Sequence, residues 1–148
     1  MTISLVQLCD AVASTLGAAV GINSEQSFDE LTSGMNTLPA LQVYPDSCTS
    51  TARGETDRQT FGKGRYERRY TLFVDLYARQ RSQLAEDMAK LVTLIDAVET
   101  VLDAQKANIF GLSTGSNVAF SWSWQRSIFD YAGPLYAGAR FTLVFTII

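Results

Sequence analysis

The sequence predicts an α+β fold, in which a single mainly antiparallel sheet of about four strands carries two helices on one face. Three observations support this prediction. Residues 68–79 alternate between two faces, one of them apolar, as is typical of a strand on a core. Residues 84–102 place apolar side chains three and four positions apart, which indicates a helix with one buried stripe. Residues 136–148 alternate again and predict a second long strand.

Size and composition favour one folded domain over residues 1–148. A chain of 148 residues can bury a core without disulfides or metals. Hydrophobic residues make up 47% of the chain and charged residues 18%, so we expect surplus apolar surface for a partner. The first 44 residues contain no basic residue, and we expect neither a signal peptide nor a membrane span.

The N-terminal part predicts a helix, a connection and a strand. Apolar residues recur at helical spacing within residues 2–20. Residues 23–37 are polar and predict a connection that could hold one turn of helix. Residues 38–44 predict a short strand, with Pro39 at its start or on a sheet edge.

A long polar stretch at residues 45–66 then separates the first two strands. Only Ala52 and Phe61 are apolar before Tyr66. Loops of this length are uncommon inside a compact domain and usually reflect function or disorder. Because the stretch joins two strands, we predict a long arm that projects from one end of the sheet.

The second half of the chain completes the sheet. Ser82 is the predicted N-cap of the second helix. Residues 117–125 alternate and predict the third strand, which residues 127–131 either continue or bend. With the last strand at residues 136–148, the predicted order is helix, strand, strand, helix, strand, strand.

The sequence offers no recognisable catalytic or metal site. It contains no histidine, which excludes Ser-His-Asp and Cys-His arrangements. The two cysteines, Cys9 and Cys48, cannot assemble a common zinc site without histidine, and free thiols are expected. The glycines around Lys63 lack the pattern of a phosphate-binding loop. We therefore predict that the protein is not an enzyme and binds no metal or cofactor.

A candidate interface lies on the face of the second strand that points away from the second helix. Phe73, Asp75 and Tyr77 share this face, and Asp75 could form an ion pair with Arg140 across strands. If the protein's own chain leaves this face open, another subunit must cover it, since large aromatics beside a carboxylate resemble interface composition. These four residues are therefore predicted to contact a subunit or a partner.

Two further groups each allow two interpretations. Trp122 and Trp124 share one face of the third strand and belong either to the core or to a ligand surface. The basic residues of the arm are either solvated or dock on a partner. Residues 45–69 contain six basic and four acidic residues, an excess too small to indicate specific nucleic-acid binding. The arm residues added to the predicted interface are Arg53, Arg58, Lys63 and Arg65.

The order of these pieces resembles that of the tail terminator, or tail completion, proteins of long-tailed bacteriophages. The resemblance covers nearly the whole chain. An N-terminal helix leads to LPALQVYPDS, a polar arm follows, RYTLFVDLYAR runs into a long amphipathic helix, and YAGARFTLVFTII ends the chain.

The resemblance implies a structural protein of the virion, present in the host cytoplasm during assembly. Such subunits form a homo-oligomer, a hexameric ring on the head-proximal end of the tail tube, which stops tube polymerisation and joins the tail to the head connector or neck protein. The arm between strands is similar to the element that reaches the tail tube protein or a neighbouring subunit. DNA could pass through the lumen of such a ring without being bound specifically, and no membrane is involved.

Two alternatives remain at this point. The chain could be a phage neck, head-completion or tail tube protein, of which a tube protein would form long polymers alone. It could also be a small cellular ligand-binding module whose ligand lies against the strand of Trp122 and Trp124.

Overall fold

A computed structural model of the chain describes residues 3–22, 24–27, 39–52, 66–80, 84–105, 109–112, 118–130 and 135–147. Its elements are α1 (Leu5–Gly17), β1 (Ser24–Ser27), β2 (Ala40–Ala52), β3 (Tyr66–Gln80), α2 (Leu84–Asp103), β4 (Val118–Asp130) and β5 (Leu135–Ile147). The strands form one sheet in the order β1-β2-β3-β5-β4. Every neighbouring pair is antiparallel except β1 with β2.

The first helix begins with a capping box and buries one face. The Ser4 hydroxyl accepts a hydrogen bond from the backbone N–H of Gln7, and the Ser4 backbone N–H donates to the Gln7 side chain. This reciprocal pair satisfies two N–H groups that a helix start would otherwise leave open. The buried face consists of Leu8, Cys9, Val12, Ala13 and Leu16, whereas Val20, which the predicted helix included, follows the end of α1 and is 84% exposed.

The core lies between one sheet face and both helices. The neighbouring strands β3 and β5 supply Leu72, Val74 and Leu76 from β3 and Phe141, Leu143 and Phe145 from β5, and all six side chains are fully buried. The α2 residues that cover them are Leu91, Leu94, Ile95, Val98 and Leu102. The predicted α+β fold, with both helices on one face of a mainly antiparallel sheet, is confirmed.

The predicted end of the first strand, at residue 44, is wrong. Residues 45–52 were expected to start the arm, whereas β2 continues to Ala52 and pairs with β3 throughout. The register of β2 against β3 shifts between Pro45 and Ser47, and this irregularity accommodates the proline and one additional residue of β2. β1 pairs with β2 only as far as Val43, so Pro45 lies where its missing N–H costs no ladder hydrogen bond on that side. The rest of the arm, residues 53–65, lies outside the described residues.

One strand was not expected at all. β1 is the parallel neighbour of residues 40–43 of β2, within the stretch predicted as a connection. Its four residues, SEQS, are polar and show no alternation of apolar side chains, so periodicity could not reveal it. The predicted helical turn after β1 and the predicted cap at Ser82 lie outside the described residues.

The two cysteines are free thiols in different settings, as expected. Cys9 is buried and Cys48 is exposed. Burial, and secondarily the negative charge of Asp10, raises the pKa of the Cys9 thiol to about 11. Cys9 is therefore a neutral core side chain at physiological pH and a poor nucleophile.

Candidate functional site

The sheet face opposite the helices, here called the outer face, carries a cluster of polar and aromatic side chains. Its members are Tyr44 from β2, Phe73, Asp75 and Tyr77 from β3, Phe129 from β4, and Tyr136 and Arg140 from β5. Strand register brings the charged pair together, because Asp75 is the cross-strand partner of Arg140. We call these seven residues the outer-face cluster.

The predicted ion pair between Asp75 and Arg140 is present, and it is bidentate. Arg140 Nε donates to Asp75 Oδ1 at 2.8 Å, and Arg140 Nη2 donates to Asp75 Oδ2 at 3.2 Å. Tyr44 completes a triangle: its hydroxyl donates to Asp75 Oδ2 at 2.7 Å and accepts from Arg140 Nη2 at 3.0 Å. Three strands are therefore joined through one carboxylate.

Exposure and charge are unequal within this triangle. The Asp75 side chain is 4% exposed and the Arg140 side chain 40%. Burial, followed by the hydrogen bond to Asp75, raises the pKa of Tyr44, so its hydroxyl stays neutral. The hydrogen bond to Asp75 raises the pKa of Arg140 despite partial burial. The cation and the carboxylate balance each other, and the cluster has no net charge.

Aromatic rings surround the ion pair. The guanidinium carbon of Arg140 lies 4.7 Å from the ring centroid of Phe73 and 5.7 Å from that of Phe129, both within cation–π range. Tyr77 contacts the ring of Phe129 at 4.8 Å and that of Tyr136 at 6.1 Å between centroids. These contacts fix the position of the arginine side chain.

The chain itself covers most of this face near its centre. Tyr77 is 5% exposed and Asp75 3%, whereas Phe73 is half-buried. Another subunit was predicted to cover this face only if the protein's own chain left it open. Asp75 and Tyr77 are already buried within the subunit, so for these two residues the face is not open. Tyr77→Asp would therefore destabilise the subunit itself. The assignment of these residues to an interface stays a prediction.

Beside the cluster lies a polar groove between β4 and β5, here called the Arg140 groove. Its volume is about 200 Å³. It is lined by Ser123, Trp124, Gln125, Ser127, Arg140 and Thr142. Hydroxyl and amide groups dominate this lining, so the groove suits a hydrogen-bonding occupant rather than an apolar one.

The strand β4 forms one edge of the sheet. Within the described part of the chain its 13 residues pair only with β5, so its other edge presents unpaired backbone groups. Two large apolar side chains on this strand, Trp124 and Ile128, are 42% and 52% exposed. Leu135, at the start of the neighbouring strand, is 46% exposed.

The two tryptophans thus differ. Trp122 is half-buried and packs against the core, as one interpretation predicted, whereas Trp124 is exposed. Both lie on the helix side of β4, but β4 is the outermost strand. The helices therefore cover its tryptophans only in part.

The structure brings together half of the residues predicted for the interface. Phe73, Asp75, Tyr77 and Arg140 belong to one cluster, while the four basic arm residues Arg53, Arg58, Lys63 and Arg65 lie outside the described residues. The sequence prediction missed Tyr44, Phe129 and Tyr136. Tyr44 could have been found, because it ends a predicted strand and shares the outer face with Phe73 once the two strands pair.

No group of three or more potential metal-ligating side chains occurs among the described residues. None of the helices in the described part of the chain has both the length and the apolar character needed to span a membrane.

Comparison of the sequence with protein-family models and with curated proteins finds no match.

Proposed function

We propose that this protein is a structural subunit that closes into a ring on the head-proximal end of a phage tail tube. In this role it stops tube polymerisation, joins the tail to the head connector and catalyses no reaction. The observation that carries the proposal is the edge of the sheet at β4. Among the residues that the structure describes, β4 is a long strand paired on one side only, and Trp124 and Ile128 on it are exposed, which is a surface that soluble monomers usually avoid.

The shape of the sheet supports a ring in particular. Its two edges differ: β1 is a four-residue parallel strand, whereas β4 has 13 residues. A contact that joins β4 of one copy to a different surface of the next copy is heterologous, and such contacts form a ring when the rotation that relates neighbouring copies closes on itself. A ring of this kind leaves no free β4 edge.

The outer face supports a structural role rather than a catalytic one. Asp75 is the only buried charged residue described, and a bidentate arginine and a tyrosine hydroxyl hold it. A carboxylate fixed in this way links three strands and is poorly placed to transfer protons. The arm between β2 and β3 is proposed to contact the tail tube or a neighbouring subunit, as the resemblance implies.

The edge can be tested with a double substitution, Trp124→Lys with Ile128→Lys. Both side chains are exposed, so we expect a folded subunit whose melting temperature falls by no more than a few degrees, since surface substitutions usually have small effects. Lysine on an edge strand opposes pairing with another chain. Light scattering on a size-exclusion column should therefore give a monomer in place of the ring.

The matched control is Val92→Lys on α2, which also replaces an exposed apolar residue, 58% exposed, with a cation. This variant should assemble like the unmodified protein. Rings of full size from the double variant, with the control unaffected, would show that β4 is not the contact. A tail tube protein, the nearest alternative, would instead form long polymers.

A further inference from the structure

We infer that the Arg140 groove binds a carboxylate group, and that Arg140 Nη1 donates a hydrogen bond to one of its oxygens. The described lining of the groove comes from β4 and β5 of a single chain. The inference therefore goes beyond the proposed ring and does not depend on it.

Arg140 keeps one donor group for a ligand. Asp75 engages the guanidinium through Nε and Nη2, and the Tyr44 hydroxyl also accepts from Nη2. Nη1 has no hydrogen-bond partner among the described residues, and the arginine side chain is 40% exposed. The N–H groups of a guanidinium form a planar fork that fits the oxygens of a carboxylate. Nη1 is therefore left for a further acceptor.

The charges favour an anion at this donor in spite of the nearby Asp75. Because Asp75 lies against the Nε and Nη2 side, an acceptor at Nη1 lies on the other side of the guanidinium. A carboxylate there would be about 4 Å from the guanidinium carbon and roughly twice as far from the Asp75 carboxylate, so attraction exceeds repulsion. Asp75 still weakens the attraction, so the groove suits a monoanion better than a dianion such as phosphate.

The rest of the described lining supplies donors and adds no charge. Arg140 is the only charged residue among the described side chains around the groove. Strand register places Gln125 directly opposite Arg140 and Ser123 opposite Thr142, all on the outer face. Their hydroxyl and amide N–H groups can donate to the second carboxylate oxygen. A volume of about 200 Å³ admits a carboxylate with its flanking atoms but not a large cofactor.

The arginine is held in place before a ligand binds. Its guanidinium carbon lies 4.7 Å from the ring centroid of Phe73 and 5.7 Å from that of Phe129. Asp75 and Tyr44 fix the Nε and Nη2 side through hydrogen bonds. A fixed donor loses little conformational entropy on binding. Arg140 therefore differs from an ordinary surface arginine, which must be ordered by its ligand.

The sign of the charge effect can be measured by placing a carboxyl group in the groove with Gln125→Glu. Ser121→Glu, which introduces the same group on the same face of β4 outside the groove, is the matched control. We expect the carboxyl group introduced at position 125 to have a pKa about 0.5 or more below that of the control, because Arg140 stabilises its charged form. Titration followed by nuclear magnetic resonance of the isotope-labelled variants measures both. Equal pKa values, or a higher one at position 125, would overturn the inference.

Binding of a free carboxylate is measured with acetate at constant ionic strength. We expect acetate to shift the Nε–H signal of Arg140 with a dissociation constant on the order of 10 mM, as for a very small ligand. Acetamide, a neutral probe of similar size, should bind at least about threefold more weakly, since hydrogen bonds to charged groups are the stronger ones. Ser121→Ala should leave acetate binding unchanged, whereas Gln125→Glu should weaken it about tenfold or more, because its own carboxylate occupies the donor.

A capped peptide with a single aspartate then distinguishes the two sources of such a group. Binding as tight as that of acetate would support a polypeptide side chain as the ligand, and binding of acetate alone would support a small free acid. Acetamide that binds as tightly as acetate would overturn the inference, and so would acetate that leaves the Arg140 signal unshifted.

Discussion

Replacing Arg140 with methionine is expected to lower the free energy of unfolding by about 3 kcal/mol. The substitution keeps an unbranched side chain of similar length but removes both hydrogen bonds to Asp75. The carboxylate is 4% exposed and cannot recover this loss from water, so it stays buried with only Tyr44 as partner. Chemical denaturation monitored by tryptophan fluorescence measures the change.

The converse substitution provides the control. In Asp75→Asn the released guanidinium is partly exposed and can be hydrated, so we expect a smaller loss, about half that of Arg140→Met. The double variant Asp75→Leu with Arg140→Met removes both charges and should be more stable than Arg140→Met alone. If Arg140→Met cost less than Asp75→Asn, the buried carboxylate would not be the source of the effect.

Gly138→Ala is the second substitution with a large expected effect. A Cβ atom at Gly138 would lie 2.0 Å from the backbone oxygen of Leu76 on β3 and 2.7 Å from the ring of Phe129. The backbone oxygen cannot move without separating β3 from β5, which pair with each other in the interior of the sheet. We expect a loss of about 3 kcal/mol or more, at the upper end for overpacking in a core.

Gly17→Ala is the matched control for this substitution. The three atoms nearest to a Cβ atom there all belong to the exposed side chain of Glu25, which can rotate away. Because Gly17 ends α1, alanine should leave stability unchanged or raise it by up to about 1 kcal/mol. Thermal unfolding of the two variants side by side gives the comparison. Equal melting temperatures would show that β3 and β5 can move apart at Gly138.

The sequence was informative where burial imposes a period. In β3 and α2 the apolar residues must face one core, so alternation and helical spacing predicted both elements and the face that each buries. The pair of Asp75 and Arg140 was predictable for the same reason. Two long alternating strands make cross-strand neighbours of residues on their outer faces.

The sequence did not predict the strand segments that are held by backbone pairing with a neighbouring strand and not by burial of apolar side chains. β1 and residues 45–52 of β2 are largely polar and exist through backbone hydrogen bonds to a neighbouring strand, which leave no apolar period. Strand order was equally hidden. Without knowing that β4 lies at the edge, the exposure of Trp124 and the groove beside Arg140 could not be predicted.

The native mass of the protein, measured alone and with purified tail tubes, tests the central proposal most directly. Light scattering on a size-exclusion column should give a mass of about six subunits for the protein alone. If the ring closes only on the tube, the protein alone is smaller and the ring of about six subunits is found at the ends of the added tubes. A protein that stays monomeric and never binds to tube ends would contradict the proposed function, and so would one that polymerises without limit.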